Sequence, residues 1–149
     1  MYWDNQETGG FNFDKYERNK FLEKQGLNSA KFKKTGTTIV GVKYKGGVIL
    51  GADTRATGGS IVMDPDCMKI HYLAPNIYCL GAGTAADTSF VTDMMASELE
   101  LHRYNTRTES RVTHVDSRLT NHLFRYGGNI GAALIVGGVD VTGSHLVNI

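Results

Sequence analysis

The chain has 149 residues, 41% hydrophobic and 21% charged, which is the composition of one soluble globular domain. Its 16 Lys+Arg stand against 15 Asp+Glu, so the formal net charge is +1 and gives no reason to expect nucleic acid or a membrane surface as partner. Cys67 and Cys79 form no C-x-x-C pair, the start has no apolar signal core and no apolar run reaches transmembrane length. A disulfide framework is therefore not expected, and reduced thiols in the cytosol or nucleus are the simpler setting.

Charge is distributed unevenly. Residues 1–36 carry 7 basic and 5 acidic residues, whereas residues 37–149 carry 9 and 10. The first segment is polar, mildly basic and poor in aliphatic residues, which reads as a tail rather than part of a core. Asp14 to Gln25 is expected to be helical, with Phe13, Tyr16 and Phe21 as a thin apolar stripe. Two readings stay open for this segment: a mobile tail, or a piece that docks on a partner or is removed.

From Thr37 the pattern changes to strands. Thr37–Lys43 and Val48–Asp53 flank Tyr44-Lys45-Gly46-Gly47, a hairpin signal. Ile61–Met63 and Ile70–Leu73 are short strands around Asp64-Pro65-Asp66, and Ala74-Pro75-Asn76 turns the chain into Ile77–Gly81. These connections are too short for parallel crossovers, so the early sheet should be antiparallel. Two helices follow. From Ala85 to His102, Val91, Met94, Met95 and Leu99 recur with helical period; from Thr113 to Arg125, Val115, Leu119, His122, Leu123 and Tyr126 do the same. Gly127-Gly128 closes the second helix. Ile130–Gly138 and His145–Ile149 are strands joined by Asp140-Val141-Thr142-Gly143. Strands, two helices, then strands predicts an α+β fold with a sheet layered against antiparallel helices. The chain stops in mid-strand, so a shortened form of a larger fold is expected.

The chemistry centres on three residues at equal spacing. Thr37 follows a glycine and opens a strand, Asp53 lies 16 positions on, and Lys69 lies 16 beyond that. A hydroxyl, a carboxylate and an amine suffice for nucleophilic catalysis if something accepts the hydroxyl proton. Taken singly each has a plainer reading: Gly-Thr before a strand is usually structural, an Asp at a strand end usually caps a turn, and a lone Lys is usually a solvated charge.

Thr37-Thr38-Ile39-Val40-Gly41-Val42, Gly51-Ala52-Asp53-Thr54-Arg55-Ala56-Thr57, Lys69-Ile70-His71 and Gly81-Ala82-Gly83-Thr84-Ala85-Ala86-Asp87 together resemble the catalytic beta subunits of the proteasome core particle, the trypsin-like member most closely. Ile130–Leu134 and Gly137–Gly143 extend the resemblance, which runs from about Phe11 to the last residue. It implies a four-layer αββα sandwich and an N-terminal nucleophile hydrolase, with residues 1–36 as propeptide and 37–149 as the N-terminal part of the catalytic domain. Cutting Gly36–Thr37 would give Thr37 a free α-amine beside its hydroxyl. The amine, with an ordinary pKa of about 7.7–8.0, can accept the hydroxyl proton through water; before the cut that nitrogen is an amide and no base.

The resemblance also implies roles for other residues. Lys69 favours the deprotonated nucleophile, Asp53 pairs with Lys69, and the Gly83 N–H helps form an oxyanion hole. Thr57 holds substrate backbone, and Arg55 supports the loop after Asp53. Ala56, Cys67, Gly81 and position 89 line the pocket for the substrate side chain. The family has an acid at that last position and this chain has Ser89, which cannot neutralise a basic side chain; Asp87 is the nearby acid that would have to do so. Expected partners are other alpha and beta ring subunits and unfolded polypeptide substrates, with no cofactor, nucleic acid or membrane.

The sequence leaves two rival readings. Gly81-Ala82-Gly83-Thr84-Ala85-Ala86 fits G-x-G-x-x-G/A, but dinucleotide binding needs a second parallel strand ending in an acid, and Glu98 and Glu100 fall within a helix instead. The other is a non-catalytic or truncated ring component. His71, His102, His114, His122 and His145 show no metal-ligand spacing, and His122 reads as helix packing.

Overall fold

A computed structural model describes residues 14–27, 36–58 and 61–149. The chain divides into two compact units, Met1–Phe32 and Lys33–Ile149. In the first, α1 spans Asp14–Lys24, close to the expected helix. The apolar stripe foreseen there does not form a buried face: Tyr16 and Phe21 are exposed, and Phe13 lies outside the described residues. The ring of Tyr16 instead carries Lys20 Nζ 5.6 Å from its centre.

The second unit is α+β, and every strand pair in it is antiparallel. β1 (Ile39–Tyr44) and β2 (Gly47–Ala52) form the expected hairpin, closed by Lys45-Gly46. β3 (Ala56–Gly58) and β4 (Ile61–Asp64) make a second small pair, β3 being a strand that the sequence pattern does not announce. β5 (Ile70–Ala74), β6 (Ile77–Gly83), β7 (Ala132–Asp140) and β8 (Gly143–Asn148) build a four-stranded sheet in that order. The early strands thus belong to three sheets rather than one. Two helices, α2 (Ala85–Thr106) and α3 (Val112–Arg125), lie between β6 and β7 in the chain.

Hydrophobic periodicity explains the packing. Val91, Met95 and Leu99 of α2 and Val112, Val115 and Leu119 of α3 are buried against Leu73, Ile77, Cys79, Leu134 and Val136 of the sheet. Thr88 and Thr92 share that buried face because their hydroxyls donate back to α2 carbonyls, Thr88 to Ala85 at 2.9 Å and Thr92 to Thr88 at 2.8 Å. Alternation along β6 and β7 sends Leu80 and Ile135 to the opposite face, where the β1–β2 hairpin packs. The approach is close: a Cβ on Gly137 would come within 2.9 Å of Val48 and Leu50, and one on Gly41 within 2.7 Å of Leu146. A helical layer, a sheet and a second β layer are therefore stacked in that order.

The start of α3 takes its N-terminal support from a distant part of the chain. Asp140, the last residue of β7, accepts the Val112 N–H at 3.0 Å, supplying the negative charge that the first turn of α3 lacks. Its other oxygen accepts the Thr142 N–H at 2.8 Å and the Thr142 hydroxyl, and pairs with His145 at 3.3 Å. Across the helices, Arg118 makes a two-pronged pair with Glu98.

Candidate active site

The strand ends of the β1–β2 hairpin bring the spaced residues together. Ile39 pairs with Ala52, so the next residues outward, Thr38 and Asp53, face one another. The Asp53 N–H donates to the Thr38 carbonyl at 3.1 Å, and the Thr38 N–H returns to Asp53 Oδ1 at 2.8 Å. Lys69 arrives from the turn before β5 and donates to the same Oδ1 at 3.1 Å and to the Arg55 carbonyl at 2.6 Å. Lys69 is only 7% exposed, so its charge is compensated by this carboxylate and carbonyl rather than by bulk water. The amide of Thr38, then the ammonium of Lys69, hold the Asp53 carboxyl below its ordinary pKa, while burial pushes the other way. Thr37, half-buried, is the next residue along from Thr38. Carboxylate and ammonium are thus fixed one residue from the predicted nucleophile.

The residues expected to contact substrate are tied to this centre through the backbone. The Cys67 N–H donates to the Thr54 carbonyl at 2.7 Å, and the Gly81 N–H to the Lys69 carbonyl at 3.0 Å. Ala56 and Thr57 lie in β3, paired with Asp64 and Val62 across a bulge. Gly81 is buried, and a Cβ there would lie 3.0 Å from the Thr88 Cβ and 3.2 Å from His71 Nε2. Thr88, which no sequence motif singled out, and His71, noted only as part of the Lys69-Ile70-His71 motif and as a histidine without metal-ligand spacing, are therefore the side chains that face Gly81. Burial lowers the His71 pKa, partly offset by Asp93. Ser89 is exposed on the first turns of α2. Asp87 has a partner of its own, the Gly131 N–H at 2.8 Å, and lies two residues from Ser89, about 200° round the helix.

Gly83 sits at the β6–α2 junction with φ +114°, a conformation open to glycine. A side-chain carbon there would collide with the carbonyl oxygen of Gly131. The glycine pattern of this turn therefore answers to a close backbone approach. With β6 antiparallel to both its neighbours, the parallel setting that a dinucleotide fold requires is absent from this sheet.

Among the described residues no three His, Cys, Asp or Glu side chains are grouped to hold a metal ion. No described helix is long and apolar enough to cross a membrane. His102 and His114 stack at 5.0 Å, and His122 packs on Tyr126 at 5.0 Å, with its Nε2 buried and unpartnered among the described residues. Cys67 and Cys79 are free thiols, and burial pushes that of Cys79 up to about 12.

Comparison with known proteins gives a consistent result. Residues 33–149 match the family described as proteasome subunit. The chain is 62% identical over 138 residues to proteasome subunit beta type-7-B of Arabidopsis thaliana, covering 93% of this chain and 50% of that protein. It is 57% identical over 143 residues to proteasome subunit beta type-7 of Dictyostelium discoideum, covering 96% and 54%. It is 53% identical over 140 residues to proteasome subunit beta type-2 of Saccharomyces cerevisiae, covering 94% and 54%. The chain spans about half the length of these curated relatives. Matched over most of its own length, and carrying the α+β fold that the motifs foretold, the chain belongs to the proteasome subunit family.

Proposed function

We propose that this chain is a threonine-type endopeptidase subunit of the proteasome core particle, made with residues 1–36 as a propeptide and activated by cleavage of Gly36–Thr37. The observation that carries this reading is the buried Lys69 ammonium, anchored on Asp53 Oδ1 beside Thr38. A cation held there favours loss of the Thr37 hydroxyl proton, which the freed α-amine accepts. Attack on a peptide carbonyl then builds negative charge on its oxygen, and the Gly83 N–H is the donor proposed to receive it.

Substrates in this reading are unfolded polypeptides held in extended form along Thr57. Ala56, Cys67, Gly81 and Ser89 shape the side-chain pocket. The proposed preference is for basic residues, as in the trypsin-like class, although Ser89 carries no charge and Asp87 is engaged with Gly131. The partners are other alpha and beta ring subunits, in cytoplasm and nucleus. Support for partners comes from the apolar side chains left exposed on paired strands, Val40, Val42 and Ile49 in the hairpin and Ile61, Val62 and Met63 in β4. A second reading is a ring component without activity, in which the Gly36–Thr37 bond stays uncut and the nitrogen of Thr37 remains an amide.

The intact mass of the chain recovered from cells separates the two. A species beginning at Thr37 supports the peptidase. A species that keeps residues 1–36 while bound to ring subunits leaves the nucleophile capped and supports the inactive component.

A further inference from the structure

We propose that Asp87 is a positioning residue for the oxyanion donor: by gripping the Gly131 peptide it fixes the turn that carries Gly83. The inference rests on the role proposed above for the Gly83 N–H.

The start of α2 carries a capping pattern. Thr84 is the N-cap of α2 and Asp87 is three residues on, the T-x-x-D spacing of a capping box. In such a box the acid reaches back to the N-cap N–H while the N-cap side chain caps the helix. Here neither bond is made. The Thr84 side chain makes no capping bond, and its N–H donates to the Gly131 carbonyl at 2.7 Å. Asp87 Oδ2 accepts the Gly131 N–H at 2.8 Å. The two box residues have opened outward and hold one residue of another segment by both its polar backbone groups.

That residue has to be small. A Cβ on Gly131 would lie 2.8 Å from Thr84 Oγ1 and 3.4 Å from Asp87 Oδ2. Its carbonyl oxygen also occupies the space a side chain on Gly83 would need. The chain of constraint is short. A charge-assisted bond from Asp87 sets the Gly131 peptide, Gly131 sets the Thr84 amide, and with that amide fixed the φ of +114° sets the direction of the Gly83 N–H. An oxyanion hole works by donors aimed in advance, so a residue that fixes the aim contributes without touching substrate. This also gives Asp87 a use other than reading a basic side chain.

The test uses the full chain, recovered from cells with its ring partners, as wild type, Asp87→Ala and Asp87→Asn. Peptide hydrolysis is followed with a fluorogenic peptide, and backbone amide exchange by mass spectrometry. Expected for Asp87→Ala is a kcat about tenfold or more below wild type with KM changed less than about threefold, since the lost interaction belongs to the transition state. Asp87→Asn, whose amide oxygen can still accept the Gly131 N–H, should recover most of that loss. Exchange at Thr84 and Gly131 should quicken about tenfold or more in Asp87→Ala, with Leu80 and Val136 unchanged. Wild-type kcat in Asp87→Ala, or a fall in kcat matched by faster exchange across the whole sheet, overturns the positioning role. A wild-type chain that is never processed overturns the peptidase reading, and the oxyanion role with it. The clamp itself is then decided by exchange alone, and unchanged rates at Thr84 and Gly131 overturn it.

Discussion

Lys69 Nζ lies 3.1 Å from Asp53 Oδ1, a contact that joins two chain segments 16 residues apart and places a buried cation at the end of the β1–β2 hairpin. Removing the amine should stop the chemistry that depends on it. Lys69→Ala is expected to leave residues 1–36 attached, or to cut peptide hydrolysis by about 10²-fold or more, the scale at which proton-transfer help operates. Intact mass and initial rates check this; a fully processed, fully active Lys69→Ala chain would sink the proposed mechanism.

Asp140 gives the fold an acid-sensitive joint. The Thr142 hydroxyl first, then the Val112 and Thr142 amides and His145, hold its carboxyl below the ordinary 3.8, with burial opposing them. A carboxyl with a depressed folded-state pKa stabilises fully above its unfolded value, and that stability drains away as pH falls through the folded value. Urea midpoints should therefore decline as pH drops below about 3.8 in wild type. Asp140→Asn should lose about 1–3 kcal/mol at neutral pH and show a flatter acid limb, because the side chain is 3% exposed and its bonds are charge-assisted.

Gly83 should tolerate no side chain. Gly83→Ala must adopt φ +114°, which costs about 1–3 kcal/mol, and its methyl meets the Gly131 carbonyl. The expected result is a melting temperature lowered by several degrees, scaling as a ΔΔG of that size does in a domain of this length. An alanine at Gly127, also at positive φ but with open space around it, should cost less; calorimetry of the two variants makes the comparison.

Helix α3 offers a contrast in magnitude. Leu119 is fully buried, so Leu119→Ala is expected to cost about 2–5 kcal/mol. Phe124, on the same helix, is 84% exposed, and Phe124→Ala should stay within about 0.5 kcal/mol. Arg118→Ala, which breaks the exposed pair with Glu98, should cost no more than about 1 kcal/mol, and less in high salt. Denaturant titrations of the three variants measure this order.

Period and turn chemistry made most of this fold legible. The stripe Val91, Met95, Leu99 announced α2, and Lys45-Gly46 announced the hairpin, because both signals are local. β3 escaped notice because three residues are too short a window for alternation to show. The site was half legible. Thr37, Asp53 and Lys69 stood out by motif, but the donors and acceptors that arrange them, the Thr38 N–H and the Arg55 carbonyl, are backbone groups that every residue carries. Asp87 was visible as an acid near Ser89; its bond to Gly131 was not, since 44 residues separate them. The T-x-x-D spacing was the signal available, and tertiary contact redirected it.

The tie between Asp140 and the start of α3 reaches across 28 residues in the direction of synthesis. On a growing chain, α3 therefore remains without this anion until Asp140 has emerged. A pause in translation before residue 140 is expected to leave the start of α3 more prone to fray and part of its core face uncovered, the kind of species on which chaperones act.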